Sequence, residues 1–233
     1  MFPPYHNFDA CQRLERIIIA LNSRGNVTDA VMDGYKKYHH ALLHKLRAAG
    51  EQLECLRSYI GALPISGDLG MPEVKDIMFK VNLYFDSFLF FAGSALDILA
   101  RELLTYYGLP VPHRVYYSTA RQDIEAARPR ESILGALADP RWLPEFRNYR
   151  NAATHEIIIV PECRICYGEG GTAARVLLPL PNDPRNPVNA SAHPRNPDGV
   201  RYATKNFKRV LSQINRIYTQ VDRRARSTQR LPV

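Results

Sequence analysis

The sequence predicts a mainly all-α, soluble protein: a helical bundle with two long antiparallel helices, plus a small β-hairpin and a C-terminal helix. Three observations carry this. Apolar residues recur at steps of three and four over two long stretches. One of those stretches is apolar almost all round. The period turns from helical to extended once, after His155.

Taken in order, Asp9 to about Asn22 predicts a short helix, stopped by Ser23-Arg24-Gly25-Asn26. Thr28 or Asp29 can cap the next helix. Its apolar residues are Val31, Tyr35, Tyr38, Leu42, Leu46, Ala49, Leu53, Leu56 and Ile60, one stripe of a long amphipathic helix. Gly61 to Pro72 is a turn-rich connection. From about Pro72 to Tyr107 the residues Ile77, Phe79, Val81, Leu83, Phe85, Phe88, Phe90 and Leu96 point in all directions, which predicts a helix buried at the bundle centre. Residues 109–129 read as irregular and 130–138 as a short helix. Asp139-Pro140 opens a further helix, with Pro144 suited to its first turn, ending near His155. Ile157 to Cys166 and Arg175 to Leu180 flank Gly168-Glu-Gly-Gly and read as a hairpin. Residues 181–200 carry Pro184-Arg-Asn-Pro187 and Pro194-Arg-Asn-Pro197, a repeat expected in a mobile loop. A last helix runs from Arg201 to about Arg226.

The length of 233 residues predicts one domain, with a core over about 27–225. No uninterrupted apolar run reaches the roughly 18 residues of a membrane span, and Met1-Phe-Pro-Pro-Tyr-His is not a signal peptide. The expectation is a cytoplasmic protein without a membrane partner. Four cysteines do not make a disulfide framework. Cys163-x2-Cys166 has no second pair to complete a zinc site, so no metal is expected. Walker, GxGxxG, HExxH and GxSxG patterns are all lacking, and no cofactor is expected. His39, His40 and His44 read as surface or packing residues.

Three constellations could carry chemistry. On the helix before His155, at about 100° per residue, Arg147, Arg150, Asn151, Thr154 and His155 share an arc of about 140°, opposite Phe146, Tyr149 and Ala152. Guanidinium pairs hold phosphate, and imidazole moves a proton near neutral pH. The competing reading is a solvated helix face. On the apolar helix, Asn82, Asp86, Gly93 and Asp97 form a seam within about 60°. A buried carboxylate needs a partner, and Arg150 or Arg147 could be one; otherwise the seam faces water. On the last helix, Arg201, Lys205, Lys208, Arg209, Arg216 and Arg223 share a face. Residues 201–233 hold nine Lys/Arg and a single acid, Asp222, while the other 200 residues hold 22 of each sign, so the whole +8 excess lies there. A basic stripe fits a nucleic-acid backbone, an acidic partner, or a solubilising surface.

Arg150-Asn151-Ala-Ala-Thr-His155 resembles the Arg-x4-His motif, with Asn after the Arg, of the HEPN superfamily of helical nucleotide-binding domains. Asn82-Leu-Tyr-Phe-Asp86 on an earlier helix adds the acid seen in that setting. The resemblance covers roughly 27–225 and implies a HEPN-like helical bundle, a homodimer that brings two motifs to one cleft, and metal-independent RNase or RNA-binding activity, often in toxin–antitoxin or defence systems with an antitoxin partner. By that resemblance Arg150, His155 and Asn151 would be catalytic, with Asp86, then Asp97, and Arg147 in support. Some toxin members have Tyr two residues after the His, where this chain has Ile157. The rival expectation is a non-catalytic module binding protein or nucleotide, with Arg150 and His155 structural and tied to Asp86. Exposure of the two side chains separates the readings.

Overall fold

A computed structural model of the protein describes residues 9–23, 28–63, 71–155, 159–160, 162–167, 173–184 and 198–229. The elements are α1 (Asp9–Ser23), α2 (Asp29–Gly61), α3 (Met71–Tyr106), α4 (Tyr117–Ala127), α5 (Ile133–Leu137), α6 (Leu143–His155), β1 (Arg164–Tyr167), β2 (Ala173–Leu177) and α7 (Gly199–Gln229). The fold is mainly all-α, as expected. Ile157, the Gly168–Gly171 turn and most of the Pro-Arg-Asn-Pro repeat lie outside the described residues.

The chain forms two compact units. The first comprises residues up to Lys45, Ser94–Pro140 and Lys208 onward; the second comprises Leu46–Gly93 and Arg141–Phe207. Helices α2, α3 and α7 each give one part to each unit.

In the first unit α2 and α3 run antiparallel, since Gly34 faces Thr105 and His39 bonds Glu102. A Cβ on Gly34 would stand 2.7 Å from Thr105 Cγ2, so a glycine lets the helices close. Helix α4 occupies a stretch whose own sequence reads as irregular. Its start is held from a distance: Asp97 Oδ1 on α3 accepts the Tyr117 N–H at 3.1 Å, while Thr119 Oγ1 accepts the Tyr116 N–H at 3.3 Å. Short α5 ends on a carbonyl, Ala136 O, that takes hydrogen bonds from Gln213 and Arg216 of α7 at 2.7 and 2.6 Å. Arg224 pairs with Glu131 at 2.8 Å and lies over the Tyr107 ring.

In the second unit α3 and α7 run parallel, with Phe85 on Tyr202 and Phe88 on Phe207. Gly50 of α2 admits the Phe207 ring at 3.4 Å. Strands β1 and β2 pair antiparallel, Arg164 opposite Leu177 and Cys166 opposite Arg175. Asp198 starts α7: Oδ1 accepts the Arg201 N–H and Oδ2 the Leu178 N–H, each at 3.0 Å.

By length and composition α3 could cross a membrane, but half of its most apolar window is buried inside the protein, as in a core helix. The sequence places this helix wholly at the centre; the structure corrects that. Phe79, Leu83 and Phe90 are 66%, 48% and 41% exposed.

Candidate functional site

Helix α6 forms the site's frame. Phe146, Tyr149 and Ala152 recur at three-residue steps and are buried. Tyr149 packs its ring 4.7 Å from that of Tyr202 and donates its hydroxyl hydrogen to Pro181 O. Burial pushes the Tyr149 hydroxyl well above its usual range, so it stays a donor. With this face anchored, the polar face is fixed in direction: Asn151, Thr154 and His155 are exposed, and Arg147 and Arg150 are half-buried. Thr154 spends its hydroxyl on Arg150 O at 2.7 Å.

Arg150 enters α3 at Gly93. A Cβ there would lie 3.1 Å from Arg150 Cγ and Nε and 3.3 Å from Cδ. The missing side chain is what gives the arginine stem its place.

Further on, Asn82 of α3 clamps the chain that follows α6. Its Nδ2 donates to Val160 O at 2.9 Å, and its Oδ1 accepts the Val160 N–H at 3.0 Å. Sequence reasoning put Asn82 in the polar seam but gave it no task. The available signal was an amide among apolar neighbours.

Arg150 thus meets α3 at Gly93, and Val160 meets it at Asn82.

Asp86 is half-buried, and its Oδ1 has no hydrogen-bond partner among the described residues. Burial alone pushes its carboxyl from the ordinary 3.8 up to about 7. Among the described residues it forms no ion pair, so the expected pairing with Arg150 is not found there. The reason is register: Asp86 is seven residues before Gly93, roughly 10 Å along the helix. Asp97 Oδ1 accepts the Tyr117 N–H at the start of α4.

On α7, Arg201, Lys205, Lys208, Arg216 and Arg223 are exposed and Arg209 is half-buried, while Phe207, Val210, Ile214, Ile217, Tyr218 and Val221 are buried. Arg216 is partly committed to Ala136 O. Asp222 forms an ion pair with Arg226 at 3.1 Å.

Elsewhere, burial pushes the Cys163 thiol up to about 11, which keeps it from being a ready thiolate. His39, by contrast with His40 and His44, is fully buried in a network that the sequence does not announce. Its Nδ1 lies 3.0 Å from Glu102 Oε1, 3.3 Å from Tyr35 Oη and 3.2 Å from Tyr218 Oη. Tyr218 donates to the second Glu102 oxygen.

Comparison with protein-family models, with curated proteins and with solved structures returns no match for this chain.

Proposed function

We propose that the protein is a HEPN-type, metal-independent RNase or RNA-binding protein acting at the α6 face. The observation that carries this reading is the exposure of His155 on the same helical face as Arg150. A residue able to move a proton and a guanidinium able to hold phosphate are the two parts that cleavage at a ribose 2′-hydroxyl requires.

In this reading His155 takes the 2′-hydroxyl proton as the oxygen attacks the adjacent phosphorus, the bond from phosphorus to the 5′-oxygen breaks, and the leaving 5′-oxygen takes a proton from water. Arg150 stabilises the charge gathering on the phosphate, and Asn151, exposed one residue on, orients the strand. Asp86 supports from α3, and Arg147 adds positive charge one turn earlier. The α7 stripe guides the RNA backbone by charge. The reading extends to a homodimer that places two motifs at one cleft, and to a cytoplasmic toxin–antitoxin or defence role with an antitoxin partner.

Arg150 alone also fits the rival structural reading, because its stem packs on Gly93. His155 does not, since it is exposed. The test is incubation of the purified protein with mixed RNA, with and without EDTA, beside His155→Ala. Degradation that EDTA spares and His155→Ala abolishes is expected. Equal degradation by both proteins, or none by either, overturns the RNase reading.

A further inference from the structure

Ile159 and Val160 are fully buried. Buried backbone groups need partners, and both polar groups of Val160 find theirs on one side chain. Asn82, itself buried, donates from Nδ2 to Val160 O and accepts the Val160 N–H at Oδ1. Its Nδ2 also donates to Met78 O at 2.9 Å. The side-chain amide thus serves Val160 as the peptide group of a neighbouring strand would. These partners fix which way the amide faces. Turned over, it would set its nitrogen against the Val160 N–H and its oxygen against two carbonyls.

His155 is the last residue of α6, and it is exposed. Helix ends of this kind fray unless the chain beyond them is tied down. Here the chain is held on both sides of His155. Ala152 is buried before it, and Ile159 and Val160 are buried after it. The two holds also share one support. Arg150 is seated against Gly93 of α3, and Val160 is bound by Asn82 of the same helix. Asn82 and Gly93 are about three turns apart, roughly 16 Å along the axis and within roughly 20° of one face. All of these residues belong to the second unit.

We propose that Asn82 is a positioning residue for His155: by binding the backbone of Val160 it keeps the last turn of α6 from fraying and holds the imidazole at a fixed reach from Arg150. Asn82 touches no substrate and acts only through the chain it binds. Its effect on cleavage rests on the RNase reading given above; its effect on the order of His155 does not.

The test uses the full chain, isotopically labelled for NMR, in which the ring signals of His155 are those that His155→Ala removes. In the wild type the amides of Asn151–His155 are as protected from hydrogen exchange as that of Val160, because both open when the clamp opens. Last-turn amides that exchange more than about a hundredfold faster than Val160 overturn the proposal with no variant needed. Asn82→Ala speeds exchange at Asn151–His155 roughly ten- to hundredfold. It moves the ring signals of His155 and leaves those of His40 and His44 in place. It lowers kcat for RNA cleavage about ten- to hundredfold with little change in KM. Glu102→Gln, which weakens the first unit, leaves the His155 signals where they are. His155 signals that stay in place in Asn82→Ala, or that move together with those of His40 and His44, overturn the proposal and make the clamp a strut. A wild-type protein that cleaves no RNA removes the RNase reading, and the exchange and ring signals still decide the role of Asn82.

Discussion

His39 and His155 make an instructive pair. Both stand on helices beside α3, and α3 carries a carboxyl group in each unit: Glu102 in the first and Asp86 in the second. In the first unit His39 and Glu102 are 2% and 1% exposed, and the two Glu102 oxygens are taken by His39 and Tyr218. In the second unit His155 is open to water, and Asp86 keeps an oxygen without a hydrogen-bond partner among the described residues. The first set is complete in itself and has nothing to offer a ligand. The second is incomplete, which costs stability and leaves groups able to act on something else. The residue types are the same; closure separates a strut from a candidate site.

The comparison is most easily broken at Glu102. Glu102→Ala removes the buried carboxylate that faces His39 Nδ1 and accepts from the Tyr218 hydroxyl, and leaves a cavity. We expect a loss of about 3–5 kcal/mol in urea unfolding, with RNA cleavage per folded molecule unchanged. Glu102→Gln keeps one acceptor oxygen and loses about 1–2 kcal/mol. A loss under about 1 kcal/mol for the alanine variant would mean that water already reaches the cluster.

Asp86 gives the opposite sign. Its carboxyl is raised in the folded state from 3.8 to about 7, so between those values the folded protein holds a proton that the unfolded chain has released. Stability therefore falls as pH rises from about 4 to about 7 and is level above. The full shift would be worth about 4 kcal/mol. Because the group is partly open to solvent, on the order of 1–2 kcal/mol is the fair expectation. Asp86→Asn should stabilise the protein by that amount at pH 8 and flatten the slope below. An unaltered slope would show that Asp86 is not the group responsible.

The same contrast explains what could be read in the sequence. Helices α2, α3 and α7 were legible because their apolar period is local and long. That Arg150 and His155 share one helix was legible because their spacing is local. Helix α4 was not, because its cap is Asp97, 20 residues earlier. Nor was the Glu102 cluster: Ala100-Arg101-Glu102-Leu103 gives no sign that its acid turns inward to meet residues 63 and 116 positions away. Asp86 was legible as a polar residue among apolar ones, but the packing of Arg150 at Gly93 was not, since it depends on where a side chain is missing. The exposure of Phe79, Leu83 and Phe90 was hidden because an all-round apolar helix looks the same whether all or half of it is covered.

Gly93 offers the smallest perturbation and the sharpest one. Gly93→Ala places a methyl 3.1 Å from Arg150 Cγ and Nε, so the arginine stem must yield by a few tenths of an ångström. Two terms oppose each other in stability. Alanine in a helix interior gains about 1 kcal/mol over glycine, while crowding a packed contact costs about 1–3 kcal/mol. The net change in unfolding free energy should lie within about 1–2 kcal/mol. On the proposed RNase reading, catalysis has no such offset. A displacement of about 1 Å can cost on the order of a hundredfold, so a shift of a few tenths should lower kcat/KM for RNA cleavage about three- to tenfold. Cleavage and urea unfolding of the one variant then divide the two roles of Arg150. A slower enzyme of near-native stability places the guanidinium at the phosphate. An unaltered rate assigns Arg150 to packing alone and leaves His155 to act with some other cation.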